Sequence, residues 1–321
     1  MAGAGGDGAP SPLDAGGLRA ARRWALAALV MMYTIVLTGV TVRLTGSGLG
    51  CPDWPMCEGL APVGEMGYHA VIEFVNRMVA LPTTVAAAGA TWTAFRVRPV
   101  RWDLRMGTIV LVSAVLLNIA LGALTIFMLL DPRIVSMHFM VSMLTIIAAA
   151  WTWECARRPE PQRITLRGVR PAVHVAVALG LLATLFVTIL GGVLTTAAGP
   201  HSGGTEEQVI QRLSGGQLAV TVHARAAYVF MVLVAVAAWL LRGQQAVWRN
   251  VTVLLGLVVV QIALGEFQYR TGLPRGVVLA HVAVAAAIWL QTSRIATMLL
   301  AAPAAASREP ASPPIRSTAP S

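Results

Sequence analysis

The sequence predicts an all-α polytopic membrane protein with eight transmembrane helices. They are expected to form two parallel four-helix-bundle repeats related by a pseudo-twofold axis along the membrane normal. Three observations carry that prediction. Of the 321 residues, 56% are hydrophobic and 12% charged, with a mean hydropathy of +0.70; soluble domains are about one quarter charged. Eight apolar runs are each long enough to cross roughly 30 Å of hydrocarbon, which takes about 20 helical residues. Motifs in the first four runs recur in the last four.

The runs occupy 24–44, 70–95, 104–129 and 134–155, then 171–195, 217–241, 251–269 and 276–300. Residues 1–18 are mainly Gly, Ala, Ser, Pro and Asp without a basic amphipathic pattern, so they do not resemble a transit peptide. The stretch 1–23 is expected to be a disordered cytoplasmic tail. The first run is too long for an ordinary cleaved signal and reads as a retained helix. An N-terminal repeat at 24–156 and a C-terminal repeat at 171–300 flank an Arg-rich cytoplasmic linker at 157–170. The Pro/Ala/Ser segment 301–321 reads as a second disordered tail.

The net charge of +10 is carried by arginine, since the chain has no lysine. Nucleic-acid binding would cluster that charge on one face, whereas here it is spread between apolar runs and orients the protein. Placing both termini in the cytoplasm puts most of the 24 arginines on that side. They include Arg19, Arg22 and Arg23, the group Arg96–Arg105, the linker arginines, and Arg242, Arg249 and Arg294.

The repeat is specific in its register. Asn118–Gly122 in the third run matches Gln261–Gly265 in the seventh, and a histidine follows 16 residues after each glycine, at His138 and His281. The first run ends Leu37-Thr38-Gly39-Val40, and the fifth carries Leu190-Gly191-Gly192-Val193. These anchors align Asn76 in the second run with His223 in the sixth. An even number of crossings per repeat makes the halves parallel. Asn76, His138, His223 and His281 then lie at similar shallow depth, one to two turns inside the outer ends of their helices. A lone membrane histidine is more often a packing residue; three at matched depth point to a ligand site within helical bundles.

Residues 72–78, IEFVNRM, put Glu73, Asn76 and Arg77 at the start of the second run. Ionisable groups at membrane depth are functional candidates, while Glu73 and Arg77, four apart, also suit a structural ion pair. Before them, the outer loop holds Cys51 and Cys57 in a Gly/Pro-constrained segment. Two cysteines on the oxidising side favour a disulfide, with thiolate metal ligation as the alternative. Cys155 reads as a reduced, inert thiol. His174 reads as interfacial, and His69 and His201 as solvated loop residues. Haem is the best candidate ligand, because imidazole pairs on opposing helices suit axial ligation; copper or zinc would ask for more ligands than each half offers.

Together the eight runs in two repeats, the glycine-rich loop 45–57, the Glu73-x-x-x-Arg77 start of the second run and the placed histidines resemble the haem A synthase family of terminal-oxidase assembly enzymes, bacterial type. The resemblance covers about 24–300. It implies a membrane oxidoreductase that converts the methyl substituent of haem O to the formyl group of haem A, in the bacterial cytoplasmic membrane. It implies haem b as cofactor, held axially by His223 and His281, and a substrate-haem site with Asn76, Arg77 and His138. Glu73 and His138 would be catalytic, and Cys51–Cys57 a loop disulfide bounding the pocket. The family pattern has a histidine at the Asn76 position; an amide is a poor iron ligand, so the resemblance implies a first site held by His138 alone. Expected partners are the haem O substrate, the lipid bilayer, the enzyme that makes haem O and oxidase assembly factors, with no nucleic acid. Small-residue helix faces permit a homo-oligomer. Two other readings use the same residues: a diheme b-type cytochrome exchanging electrons with quinol, and a transporter built on parallel repeats.

Overall fold

The computed structural model describes residues 15–51, 53–57, 66–164, 172–205, 208 and 210–303. Its helices are α1 (Ala15–Leu44), α2 (Tyr68–Arg96), α3 (Trp102–Phe127), α4 (Pro132–Arg157), α5 (Ala172–Ala198), α6 (Gly216–Leu240), α7 (Gln245–Arg270) and α8 (Arg275–Leu300). All eight are long and apolar enough to cross a membrane. The protein is an all-helical polytopic membrane protein, as the hydropathy predicts. A minor addition is a two-stranded antiparallel ladder, β1 (Gln162–Ile164) with β2 (Ala301–Pro303), joining Gln162 to Pro303 and Ile164 to Ala301. It draws part of the expected linker and the first residues of the expected tail into regular structure.

Helix ends fall within a few residues of the apolar runs, with two exceptions. Helix α7 starts six residues earlier, at Gln245. Helix α1 starts at Ala15, so 15–23 is helical and not tail. Alanine, leucine and arginine are strong helix formers, and Ala21 and Ala25 are buried against Ala94, Val97, Leu104 and Cys155. The rest of that tail, 1–14, lies outside the described residues, as do 304–321, 165–170 of the linker and residue 171.

The principal contacts form two rings. Helix α1 packs on α2, α2 on α3, α3 on α4 and α4 on α1; α5, α6, α7 and α8 close in the same cyclic order. Helices α1, α4, α5 and α8 join the rings. The shared core is built on small residues, with Ala28, Ala87, Ala149, Ala178 and Ala286 all fully buried, because membrane helices associate by close backbone approach and not by expelling water. Two hydrogen bonds cross it: Trp289 Nε1 donates to Met143 O at 2.7 Å, and the Tyr33 hydroxyl to Ala283 O at 2.7 Å.

Each end of the helices has its own clasp. At the arginine-rich end Arg101, counted from sequence among the orienting charges, is 0% exposed. It donates to both carboxylate oxygens of Asp103, at 2.9 and 2.8 Å, and to the carbonyls of Cys155, Arg158, Pro159 and Glu160. The guanidinium fork thereby satisfies the orphan carbonyls at the end of α4. Beside it Glu154 pairs with Arg157 of its own helix and with Arg294 of α8, both at 3.2 Å. At the opposite end the loops of the two halves meet. Gly48 N donates to Gly203 O at 2.7 Å, and Arg43 donates to the carbonyls of His201 and Thr196. Gly46 has φ +71°, and a Cβ there would stand 2.7 Å from Gly204 O, so only glycine fits this crossing.

Candidate functional site

Each of the four aligned side chains leans on a glycine of the helix before it. A Cβ added to Gly39 of α1 would lie 3.8 Å from Asn76 Oδ1, and one on Gly122 of α3 3.5 Å from His138 Cε1. On Gly192 of α5 it would lie 3.0 Å from His223 Cε1, and on Gly265 of α7 3.1 Å from His281 Cε1. These glycines anchor the internal repeat in the sequence, but their work as ring supports was not visible there. It depends on which face of each helix the next one meets.

The second ring brings two imidazoles together. His223 and His281 have ring centroids 6.3 Å apart with planes at 71°. The His223 Nδ1–H donates to Thr188 O at 2.8 Å, which leaves Nε2 with its lone pair free for a metal. Imidazoles on opposite sides of one metal, each at about 2 Å, have ring centres about 6 Å apart, as here. Two imidazoles at that separation, each in a glycine cradle, fit axial ligation of a haem. Among the described residues no three or more His, Cys, Asp or Glu gather into one group, so imidazole pairing is the ligand arrangement this ring offers.

The first ring is built differently. His138 on α4 has an enclosed Nδ1 without a hydrogen-bond partner. Below it Ser142 Oγ donates to Asn118 Oδ1 at 2.8 Å and lies 2.9 Å from His138 O, and Asn118 Nδ2 donates to Thr145 Oγ1 at 2.8 Å. This network ties α3 to α4 around the histidine. Asn76 Oδ1 accepts from Thr38 Oγ1 at 2.7 Å.

Above the first ring sits the cysteine loop. Cys51 and Cys57 form a disulfide with Cα atoms 4.9 Å apart, inside the range of about 4.4–6.8 Å that a bridge needs. Both are buried with Met66 and Ala70. Glu73 is 4% exposed; its Oε2 accepts from Cys51 N at 2.8 Å, and its Oε1 pairs with Arg77 Nη2 at 2.5 Å. Arg77 Nη1 donates in turn to Asp53 O at 2.6 Å and Met56 O at 2.7 Å. The i,i+4 pair that the spacing allowed is therefore formed, and it fastens the disulfide loop to α2 as a lid.

The remaining histidines are more engaged than the sequence suggested. Ser47 Oγ lies 2.9 Å from His69 Nδ1, and His201 Nε2–H donates to Leu273 O at 3.1 Å. His174, near the start of α5, is 7% exposed and accepts from Gln244 Nε2 at 2.6 Å, a helix-packing contact. Cys155 is a buried free thiol, as expected. In the loop between α5 and α6, Arg212 donates to Gly199 O and Pro200 O, and partial burial lowers its guanidinium below the ordinary arginine value.

A family model described as cytochrome oxidase assembly protein, COX15-CtaA, matches residues 22–293. The chain belongs to the COX15-CtaA family. The match runs from α1 through α8 and takes in both rings and the lid. Among curated relatives, a protein named "Heme A synthase" from Lysinibacillus sphaericus is 29% identical over 118 residues, 36% of this chain and 38% of that protein. One of the same name from Symbiobacterium thermophilum is 33% identical over 129 residues, covering 40% and 42%. These alignments thus span about two fifths of those relatives' length. A third, from Listeria monocytogenes, is 22% identical over 273 residues, covering 80% of this chain and 88% of that protein.

Proposed function

We propose that this protein is a haem A synthase that oxidises the methyl substituent of haem O to a formyl group. The observation that carries the reading is the His223–His281 pair, 6.3 Å between ring centres, inside a ring of membrane helices of the COX15-CtaA family. Curated relatives of this chain bear the name heme A synthase. In this reading His223 and His281 hold a resident haem b, with Thr188 O fixing the His223 tautomer. When bound, that haem supplies one-electron redox chemistry. The two rings act as parallel repeats about the membrane normal, with both termini in the cytoplasm, and the lid faces outward.

The first ring takes the substrate haem O. His138, with its ring on Gly122 and its backbone held by Ser142, ligates the substrate iron from one side. Glu73 lies at the lid over this site. With water as the oxygen source, conversion of the methyl to a formyl group passes four electrons to an external acceptor and releases four protons, and Glu73 Oε2, whose present partner is the Cys51 N–H, is the carboxylate placed to accept one. Arg77 holds the lid backbone and keeps Glu73 oriented, and the disulfide keeps the lid short enough to exclude water.

The test is the optical spectrum of the purified protein. A low-spin b-type signal is expected, lost on His223→Ala or His281→Ala and kept on His138→Ala or Glu73→Gln. An unchanged spectrum in the first two variants would reject the ligand assignment.

A further inference from the structure

One pair of aligned positions beside the ring side chains differs between the two halves. Where the second half has Gly191 and His223, the first has Thr38 and Asn76. In the second half a Cβ on Gly191 would stand 3.1 Å from His223 Cα, so a bare helix surface lets α6 lie close. The imidazole then reaches Thr188 O at 2.8 Å. The first-half carbonyl aligned with Thr188 is that of Ile35. It is reached instead by Thr38 Oγ1 at 3.2 Å, and the same hydroxyl donates to Asn76 Oδ1 at 2.7 Å. Thr38 thus fills the surface that the second half leaves bare, and it engages the carbonyl that an imidazole at position 76 would use. With one lone pair of Oδ1 taken by Thr38, the Asn76 amide keeps its two Nδ2–H donors to offer the site.

We infer that Thr38 and Asn76 are a matched pair that holds the first ring to one imidazole, His138, and presents an amide N–H donor across the ring from it. The inference rests on the haem reading proposed above and specifies the ligand class of the first site: an iron porphyrin bound on one side, its other face exchangeable and flanked by a hydrogen-bond donor. Helices α2 and α4 occupy opposite corners of the first ring, as α6 and α8 do in the second, so Asn76 stands where His223 stands relative to its partner histidine. A bis-imidazole haem is coordinatively saturated and suited to electron transfer. A haem with one imidazole can be loaded, altered and released. Asn76 and Thr38 are positioning residues for that difference between the sites.

The experiment uses full-length protein loaded with haem O, reduced and exposed to carbon monoxide, which binds only iron with an open or weakly held face. Wild type is expected to show one carbon monoxide-reactive haem beside one inert low-spin haem. Asn76→His alone should stay reactive, because Thr38 still occupies the ring's space and its carbonyl. The double variant Thr38→Gly, Asn76→His should lose the reactive fraction and gain a second low-spin signal. The inert signal of His223 and His281 reports in every variant that the chain has folded. Loss of reactivity in Asn76→His as complete as in the double variant would overturn the pairing, as would a double variant as reactive as wild type. A wild type that keeps the inert haem but has no reactive one would overturn this inference alone. A protein with no haem absorption in any variant would overturn the haem reading and the inference with it.

Discussion

Glycine 192 and Gly180 lie on the same helix, yet only one of them faces a ring. A methyl group at 192 would press on His223 Cε1 from 3.0 Å, while one at 180 would meet nothing within 4 Å. Gly192→Ala should therefore tilt the imidazole and shift or weaken the low-spin spectrum, and Gly180→Ala should leave it unchanged. The same spectrum in both variants would remove the glycine cradle from the account. The histidines themselves were legible in the sequence, because three shared a register at matched depth, where a lone one would read as a packing residue. Thr38 was not. A threonine in a membrane helix ordinarily returns its hydroxyl to its own backbone, and nothing in the one-dimensional pattern shows that this one also holds Asn76.

At the scale of an element, the lid joins two arguments about Glu73. Its carboxylate and the Arg77 guanidinium form a buried pair with side chains 5% and 10% exposed, and removing one partner of such a pair costs about 3–5 kcal/mol. Arg77→Met should release residues 53–56 from α2 and speed proteolysis within the lid. Glu73→Gln keeps an oxygen for the Cys51 N–H, so its lid should remain protected while haem A formation is lost. Limited proteolysis beside pigment analysis separates the two; equal lid release with equal partial activity would assign Glu73 to the lid alone. The helices were legible to within a few residues from apolar length. The start of α1 was hidden, since 15–23 carries three arginines and two glycines and its helical state depends on packing against α2, α3 and α4. The disulfide was legible as a preference only, because bridge formation depends on loop geometry that Gly and Pro constrain without specifying.

Across the whole molecule, the halves are held at the buried core and at both ends. Arg101→Met strips the guanidinium from Asp103, whose side chain is 1% exposed, and leaves the end of α4 without its donor fork. The expected cost is about 3–5 kcal/mol, read as a clear fall in melting temperature in detergent. Arg157→Met, whose partner-facing side chain is 33% exposed, should cost less than about 1 kcal/mol. Equal shifts would mean that burial does not decide the weight of these arginines. The sequence placed both among orienting loop charges, since charge counting cannot tell an arginine that solvates from one that caps a helix. The arrangement of rings was less readable: the aligned motifs matched side chains of the two halves to one another, but which glycine each would lean on depends on the helix faces that meet.

The division of labour between the rings is the centre of the account, and product formation tests it most directly. Cells lacking their own haem A synthesis, supplied with haem O and expressing this chain, should yield haem A among the extracted pigments, and the His138→Ala variant should yield haem O alone while retaining the low-spin signal of the second ring. Recovery of haem O only from wild-type cells, with that low-spin signal intact, would contradict the synthase reading and leave a haem-binding membrane protein in its place.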